Sequence, residues 1–339
     1  MKIIENVDLS KYSYMKIGGT GRYLIEIEKD LEIKEAHDFA KEKDLPIVFL
    51  GSGSNTIFSD DNHKKVFIKF KTSDIIKTYE SDNFINLKVS AGLDWDRFVD
   101  WAASNSYSGI ECLSLIPGTV GASPIQNIGA YGQEAKNSIL NVQVYEFETG
   151  KFYEIANSEC DFSYRDSIFK KNIGKFAIVN VGFSLSKKEP KMPTYKDLSL
   201  YFLAQQTKDP SLKKIRQAVI EIRRQKLPDW QKEPNCGSFF KNPIIDNELA
   251  KEMMEKYPSL PQYNAGAGKT KISGGWLIEK AGFKGKSFDG IKVHNKSALV
   301  LINSKNGSFK KLEKAIKIIT DGVKNKFDID LEIEPNLIK

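Results

Sequence analysis

The segment from Ile116 to Gly132 constrains the fold of this 339-residue chain more than any other part of it. It holds four glycines and two prolines, which is too many for a core helix or strand, yet it is too apolar for a free surface loop. A backbone packed closely against a large, flat ligand explains both properties, and so does a rigid buried loop. Both interpretations stay open at this point.

A second glycine-rich loop, Gly51 to Asn55, directly follows the apolar run Ile47–Leu50, which is typical of a buried strand. Its backbone N–H groups carry little side-chain bulk, so the loop is able to cradle phosphate oxygens. An ordinary turn is the alternative. The chain has no GxGxxG motif, and a Rossmann dinucleotide fold is therefore not supported.

Helical and strand periods alternate along the whole chain, which predicts a mixed α and β protein. Asp94 is the expected N-cap of one helix. The predicted helices cover residues 30–44, 94–102, 211–226, 275–281 and 308–326. The predicted strands cover residues 47–50, 66–70, 85–89, 176–185, 298–302 and 331–335, with a hairpin around residues 148–150.

Composition and charge exclude several classes of protein. The net charge is +7, but the lysines are spread along the chain and look like solvated helix faces, so nucleic-acid binding is not expected. We find no apolar leader and no membrane-spanning segment, and expect a cytoplasmic protein without membrane association. Three scattered cysteines and the absence of metal-ligand spacing predict neither a disulfide framework nor a metal site.

Two short clusters are candidates for chemistry. Arg165 lies among the aromatics of residues 162–167, where it suits an ordinary ion pair or an electrostatic clamp. Ser238 lies between a glycine and two phenylalanines, so its hydroxyl is expected in a partly desolvated place, either capping the backbone or reacting. Glu332 and Glu334 are two residues apart on a predicted strand and share one face.

Other tempting features do not support chemistry. The stretch Gly266–Thr270 resembles the end of a P-loop but lacks the required first glycine, and we interpret it as a surface loop. His37 is predicted on a surface helix, His63 in a charged loop, and His294 before a strand, so no hydrolase triad is indicated.

Taken in order, these segments resemble the UDP-N-acetylenolpyruvoylglucosamine reductase (MurB) family. The resemblance runs through nearly the whole chain, in the blocks 15–19, 50–55, 116–132, 164–167 and 237–243, and ends at Glu334. Tyr195, in the sequence PTYKDL, matches the loop tyrosine of the longer, type I-like group.

The resemblance implies an α+β fold with a two-subdomain FAD-binding module and a third α+β substrate-binding domain. The expected domains are residues 1–72 and 73–226 for the FAD-binding subdomains, 227–330 for the substrate-binding domain, and 331–339 for a C-terminal strand that carries the catalytic glutamate. The cofactor would be noncovalent FAD.

The resemblance also assigns residues. Those implied to bind FAD are Gly51, Ser52, Gly53, Ser54, Asn55, Pro117, Gly118, Gly121, Ala122, Ser123, Gln126, Asn127, Gly129, Ala130, Tyr131 and Gly132. Those implied to bind substrate are Tyr131, Tyr195, Arg223, Lys226 and Asn242. Those implied to be catalytic are Ser238, Arg165 and Glu334.

The implied reaction is NADPH-dependent reduction of an enolpyruvyl ether on a UDP-sugar, a step of peptidoglycan precursor synthesis. In this scheme Ser238 donates the proton, Arg165 stabilises the enolate charge, and a protonated Glu334 hydrogen-bonds the substrate carboxylate. NADPH would visit the substrate site first, and a monomer is expected. The departure from the family pattern is Pro335 after Glu334 with Asn336 in place of a basic residue, which leaves Glu332 as a second candidate acid.

Two rival interpretations remain. A different FAD oxidoreductase of the same cofactor-domain class, acting on a sugar or hydroxylated substrate, would share the glycine-rich stretches but has no need for the Gly237–Phe240 block. A flavin-free sugar-nucleotide-binding protein would purify without colour.

Overall fold

The computed structural model describes all 339 residues, and its regular structure consists of twenty strands, eight α-helices and five short 3-10 helices. The strands are β1 Lys2–Asp8, β2 Thr20–Ile27, β3 Ile47–Leu50, β4 Thr56–Phe58, β5 Asn62–Phe70, β6 Ile75–Glu80, β7 Phe84–Ser90, β8 Gly129–Ala130, β9 Gln133–Glu134, β10 Ile139–Glu146, β11 Lys151–Ala156, β12 Phe176–Ser186, β13 Asn235–Ser238, β14 Ile244–Asp246, β15 Gln262–Gly266, β16 Lys269–Ile272, β17 Ser287–Phe288, β18 Ile291–Val293, β19 Val300–Asn303 and β20 Asn336–Ile338. The helices are α1 Glu32–Glu42, α2 Trp95–Ser104, α3 Ile168–Lys171, α4 Lys196–Ala204, α5 Leu212–Lys226, α6 Asn247–Lys256, α7 Gly274–Lys280 and α8 Phe309–Phe327. The mixed α and β prediction is confirmed, and no helix is long and apolar enough to cross a membrane.

The chain divides into two compact units. The first unit consists of Met1–Val7, Gly21–Ser52 and His63–Gln225, and the second consists of Asp8–Thr20, Gly53–Asn62 and Lys226–Lys339. The second unit thus takes two segments from within the predicted first FAD-binding subdomain. The predicted boundaries at residues 72, 226 and 330 assume that each domain is one continuous stretch of sequence. They stay predictions.

Within the first unit, two sheets and their helices build the larger core. The order β1-β2-β5-β3 forms a four-stranded sheet, and β11-β10-β12-β7-β6 forms a five-stranded antiparallel sheet. Helix α2 contributes an apolar face of Trp95, Phe98, Val99 and Ala102 to this core, and its N-cap Asp94 accepts a hydrogen bond from the Arg97 N–H, as predicted.

Helix α5 is fixed to α2 by an ion pair within the first unit. The Arg216 guanidinium donates to both carboxylate oxygens of Asp96, and Asp96 also accepts from the Leu115 N–H. Burial alone raises the pKa of Asp96, but the hydrogen bonds from Arg216 and Leu115 outweigh it, and the pKa lies below its usual value. The pair holds the helix that carries Arg223.

Within the second unit, the four-stranded sheet β13-β19-β18-β17 packs with α6, α7 and α8 around one core. Strand β20 pairs in parallel with β4, so Asn336 lies opposite Thr56. This pairing explains why residues 53–62 belong with the C-terminal half of the chain.

Several local predictions were wrong. Residues 331–335 form no strand beyond a single bridge between Ile333 and Phe240, and the C-terminal strand is β20 instead. The surface location predicted for Gly266–Thr270 is confirmed, but the stretch is the turn and flanks of the β15–β16 hairpin rather than a free loop. His37 and His63 are buried rather than exposed, because His37 lies on the inner face of α1 and hydrogen-bonds the Tyr145 hydroxyl at 3.0 Å, while His63 lies in β5.

Candidate active site

In the first unit, the two predicted cofactor-binding segments lie against each other. A Cβ atom added at Gly51 would lie 3.3 Å from Thr119 Oγ1 and 3.5 Å from Ala122 Cβ. The neighbouring Ser52 hydroxyl is buried and has no hydrogen-bond partner in the protein. A buried hydroxyl without a partner is costly, and it is typical of a group that a ligand satisfies.

The rest of the Gly51–Asn55 loop belongs to the second unit, where it is held firmly. Gly53 has φ of +81°, and a Cβ atom there would lie within 1.9 Å of the Tyr12 carbonyl oxygen, so only glycine fits. The Gly53 carbonyl accepts from the Tyr14 N–H at 2.9 Å, and the Asn55 carbonyl accepts from the Asn336 N–H at 2.9 Å. Asn336, the departure from the family pattern, therefore begins a strand that pairs beside this loop.

The segment from Ile116 to Gly132 is anchored by its backbone at the ends of β7 and α2. Val120 N–H donates to the Leu93 carbonyl at 2.8 Å and Gly121 N–H to the Ala91 carbonyl at 2.9 Å. A Cβ atom at Gly121 would lie 2.6 Å from Ala91 Cβ, which explains the glycine by close packing. Ser123 is buried and donates its hydroxyl to the Val120 carbonyl. The interpretation as a rigid buried loop therefore holds for this stretch.

The segment ends in a short hairpin that presents Tyr131. Strands β8 and β9 pair across a two-residue turn, in which Tyr131 has φ of +48° and Gly132 of +85°. The Tyr131 ring contacts the Tyr195 ring edge to face, with 5.4 Å between centroids. Burial raises the pKa of Tyr131 to about 12, so its phenol stays neutral near pH 7 and is able to donate a hydrogen bond.

Two arginines accompany these tyrosines in the first unit. Arg165 donates from Nη2 to the Gly129 carbonyl at 2.8 Å. Arg223, on α5, has a buried Nε without a hydrogen-bond partner. Burial lowers the pKa of Arg223, although Tyr131 acts in the opposite direction and raises it. The nearby Arg165 charge also lowers the pKa of Arg223. Guanidinium groups bind carboxylate and phosphate well, so each of these arginines is a candidate to hold an anion.

In the second unit, the predicted catalytic residues Ser238 and Glu334 come close along the backbone. Ser238 is the half-buried last residue of β13, opposite Val300 of β19. The Glu334 N–H donates to the carbonyl of Phe239, the residue after Ser238, at 2.9 Å. Glu334 is half-buried as well.

The remaining assigned residues of this unit have defined places. Glu332 is 71% exposed and pairs with Lys241, whereas Glu334 is half-buried, and this favours Glu334 as the candidate acid. The Asn242 amide oxygen accepts from the Gly274 N–H at the start of α7, at 3.0 Å. Lys226 is exposed at the last residue of α5.

Sequence patterns missed the polar residues that fix the Arg165 turn. The Asn127 side chain, assigned to FAD, is fully buried and bonds to Glu134 and to the Ser163 carbonyl. Ser167 is also fully buried and donates to the Ile125 carbonyl at 2.6 Å. The only signal in the sequence was the polar residues Ser163 and Ser167 on either side of Arg165. Such residues are too common in turns to identify their hydrogen-bond partners.

Matches to known protein families define the class to which the chain belongs. Residues 22–156 match the FAD binding domain family, and residues 229–338 match the C-terminal domain of UDP-N-acetylenolpyruvoylglucosamine reductase. The UDP-N-acetylenolpyruvoylglucosamine reductase of Flavobacterium johnsoniae is 37% identical over the full length of both chains, and that of Pseudomonas putida is 34% identical over 98% of each. The chain belongs to the UDP-N-acetylenolpyruvoylglucosamine reductase family.

The fold agrees with this membership. The crystal structure of UDP-N-acetylenolpyruvylglucosamine reductase (MurB) from Thermus caldophilus matches all of this chain and 98% of its own with a TM-score of 0.68, at 21% identity. The predicted fold class, an FAD-binding module followed by a substrate-binding domain of this family, is confirmed.

The residues present fit FAD. The Ser52 hydroxyl is a buried donor without a partner, next to a loop of small residues. A Cβ atom at Gly51 would already be in close contact with Thr119 and Ala122, so the loop and residues 119–122 lie side by side. Such a narrow, hydrogen-bonding cradle suits a dinucleotide diphosphate.

Proposed function

We propose that the protein reduces UDP-N-acetylglucosamine enolpyruvate to UDP-N-acetylmuramate, with noncovalent FAD as cofactor and NADPH as electron source. The family membership over the full length of the chain supports this proposal. The structural observation that carries it is the hydrogen bond from Glu334 N–H to the Phe239 carbonyl, which holds Glu334 beside the strand of Ser238. A cytoplasmic, monomeric protein without nucleic-acid or membrane partners completes the proposal.

The chemistry requires a hydride, a site for negative charge and a proton. Bound FAD would supply the hydride to the terminal CH2 carbon of the enolpyruvyl group. Negative charge then develops on the adjacent carbon and spreads onto the carboxylate, where Arg165 would stabilise it. Glu334, when protonated, would hydrogen-bond the same carboxylate.

Ser238 would complete the reaction by protonating the carbon next to the carboxylate. A free serine hydroxyl is a weak acid, so it works only against a strongly basic carbon and in a partly desolvated place. The half-buried position of Ser238, next to the fully buried Phe239 and Phe240, supports this role.

Substrate recognition would fall to the remaining assigned residues. Arg223 and Lys226 would bind the diphosphate or the carboxylate. The neutral Tyr131 phenol, the Tyr195 ring against it, and Asn242 would orient the sugar nucleotide. The family resemblance implies that all five residues contact the substrate, and the proposal includes these contacts.

Turnover of the purified holoprotein tests the proposal. We expect a yellow protein that releases FAD on denaturation and oxidises NADPH only when the enolpyruvyl UDP-sugar is present, with UDP-N-acetylmuramate as product. Substrate and NADPH should compete at high substrate concentration, because both would use one site. A colourless protein that takes up no FAD would overturn the function, and strictly noncompetitive inhibition would overturn the shared site.

A further inference from the structure

The turn that carries Arg165 is in a backbone conformation that arginine rarely adopts by itself. Ser163 and Asp166 close the turn with a reciprocal pair of backbone hydrogen bonds of 3.1 and 3.3 Å. Arg165 has φ of +57°, in the left-handed region that residues with a side chain rarely adopt. Such a conformation persists only where the surroundings hold it.

Three side-chain hydrogen bonds hold this turn against the segment that precedes the β8–β9 hairpin. Asn127 Nδ2 donates to the Ser163 carbonyl at 3.1 Å, and Ser167 Oγ donates to the Ile125 carbonyl at 2.6 Å. Arg165 Nη2 donates to the Gly129 carbonyl at 2.8 Å. Both flanks of the turn and the guanidinium itself are therefore fixed to residues 125–129.

Asn127 is the centre of this arrangement, since its whole amide is used. One N–H of Nδ2 bonds the Ser163 carbonyl, and the same nitrogen donates to Glu134 Oε2 at 2.9 Å. Its Oδ1 accepts from the Lys136 N–H at 3.0 Å. The side chain is fully buried, and Asn127 itself has φ of +43°. It thereby joins the Arg165 turn to the hairpin that presents Tyr131.

We infer that Asn127 is a positioning residue for Arg165, acting through the Ser163 carbonyl, and that its side chain does not serve as a cofactor ligand. The inference rests on the proposed function, because it assigns Arg165 to the developing enolate charge. Displacement of a stabilising group by about 1 Å is able to cost on the order of 100-fold in rate. Loss of the Asn127–Ser163 bond should therefore slow the step that uses Arg165.

A paired substitution isolates that bond. The variant Asn127→Asp with Glu134→Gln keeps the side-chain shapes, keeps an acceptor for the Lys136 N–H, and reverses the hydrogen bond between positions 127 and 134. Relative to Glu134→Gln alone, it removes the donor to the Ser163 carbonyl and places a carboxylate at position 127, while the ion pair of Glu134 with Lys136 is lost in both variants. Glu134→Gln alone, which keeps that donor, is the baseline.

A matched control separates positioning from general loss of stability. Asn157 Nδ2 also donates to two backbone carbonyls in the first unit, those of Lys136 and Ile139, each at 2.8 Å. Neither hydrogen bond is made to residues 163–166, and Asn157 meets the Asn127 network only at the Lys136 carbonyl. Asn157→Asp should lower the thermal stability and leave the rate of flavin reoxidation unchanged.

The measurement is anaerobic stopped-flow reoxidation of the reduced holoenzyme by the enolpyruvyl UDP-sugar. We expect the paired variant to react about 10- to 100-fold more slowly than its baseline. In an Arg165→Ala background the same substitution should change the rate by less than about threefold, because the residue it acts through is gone. The crystal structure of the paired variant should show Arg165 displaced from the Gly129 carbonyl.

Two results would overturn the inference: an unchanged rate in the paired variant, or an equal loss in both backgrounds. A variant too unstable for kinetics is replaced by Ser167→Ala, which loosens the other flank of the turn and should be slower only when Arg165 is present. Failure of the proposed function is distinguishable, since the wild-type flavin would then not be reoxidised by this substrate at all. The position of Arg165 in the crystal structure tests the inference independently of activity.

Discussion

At the scale of single residues, three of the assigned residues have a strained backbone conformation, as do eleven other non-glycine residues elsewhere in the chain. Asn127, Tyr131 and Arg165 all have positive φ although none is glycine, and each is held by neighbours within the first unit. A strained residue is stable only when several contacts fix it. Their side chains are thus set before any ligand arrives, which favours catalysis by positioned charges and hydrogen-bond donors.

The proton donor is the residue whose role is tested most simply. Ser238→Ala should leave reduction of the flavin by NADPH nearly intact and slow its reoxidation by the enolpyruvyl substrate roughly 100- to 10,000-fold, the usual contribution of a general acid. Rapid-mixing kinetics of the two half-reactions separate these effects.

Ser304→Ala is a suitable control for Ser238→Ala. Ser304 follows β19 in the same unit and donates its exposed hydroxyl to the Gly290 carbonyl at 3.0 Å. It should reoxidise at the wild-type rate. Normal reoxidation in Ser238→Ala would mean that the proton comes from another group.

Sequence patterns identified residue types better than their partners. The motifs that contain Ser238, Arg165 and Tyr131 were recognisable because glycine, aromatic and charged residues combine there in an unusual order. The bonds from Asn127 to Ser163 and from Ser167 to Ile125 were not, since they join residues about 40 positions apart through ordinary polar side chains. His37 was misplaced because its polarity was weighed above its position beside the buried Ile33, Ala36 and Ala40.

At the scale of elements, caps and apolar periodicity predicted the helices well, because both act within a few residues of sequence. Capped amphipathic helices such as α2 and α8 were placed to within about two residues. The strand expected at residues 331–335 failed because alternation alone does not say which partner a strand has. Strand β20 begins directly after this segment, at Asn336, where β4 offers a parallel edge.

The Gly51–Asn55 loop yields a prediction at this scale. Gly53→Ala should abolish stable FAD binding and lower the free energy of unfolding by roughly 3 kcal/mol, because the new Cβ meets the Tyr12 carbonyl in addition to the left-handed φ. FAD titration and urea unfolding measure the two effects.

Gly174→Ala supplies the matched control for Gly53→Ala. Gly174 has a similar φ of +86°, but a Cβ atom there meets nothing within 4 Å. Its substitution should cost only about 1 kcal/mol, the conformational penalty, and leave FAD affinity unchanged. Equal effects of the two substitutions would show that packing against Tyr12 does not matter.

At the scale of the whole molecule, sequence anticipated the family and the fold class, but it gave no sign that each compact unit is built from separate segments. The full-length likeness to reductases of this family agrees with the order of motifs along the sequence. Segments Asp8–Thr20 and Gly53–Asn62 nevertheless join the C-terminal half in the second unit. Hydrogen bonds such as that from the Ser59 N–H to the Ile338 carbonyl, at 2.8 Å, hold these segments to the C-terminal half. Because they join residues far apart in sequence, no local pattern predicts them.

In the proposed reaction, an electron pair passes from reduced, bound flavin to the enolpyruvyl double bond. The direct measurement is a single turnover: the holoprotein is reduced with NADPH without oxygen, and UDP-N-acetylglucosamine enolpyruvate is then added. We predict that the oxidised flavin spectrum returns at once, with one UDP-N-acetylmuramate formed per flavin. A flavin that stays reduced in the presence of this substrate would contradict the account.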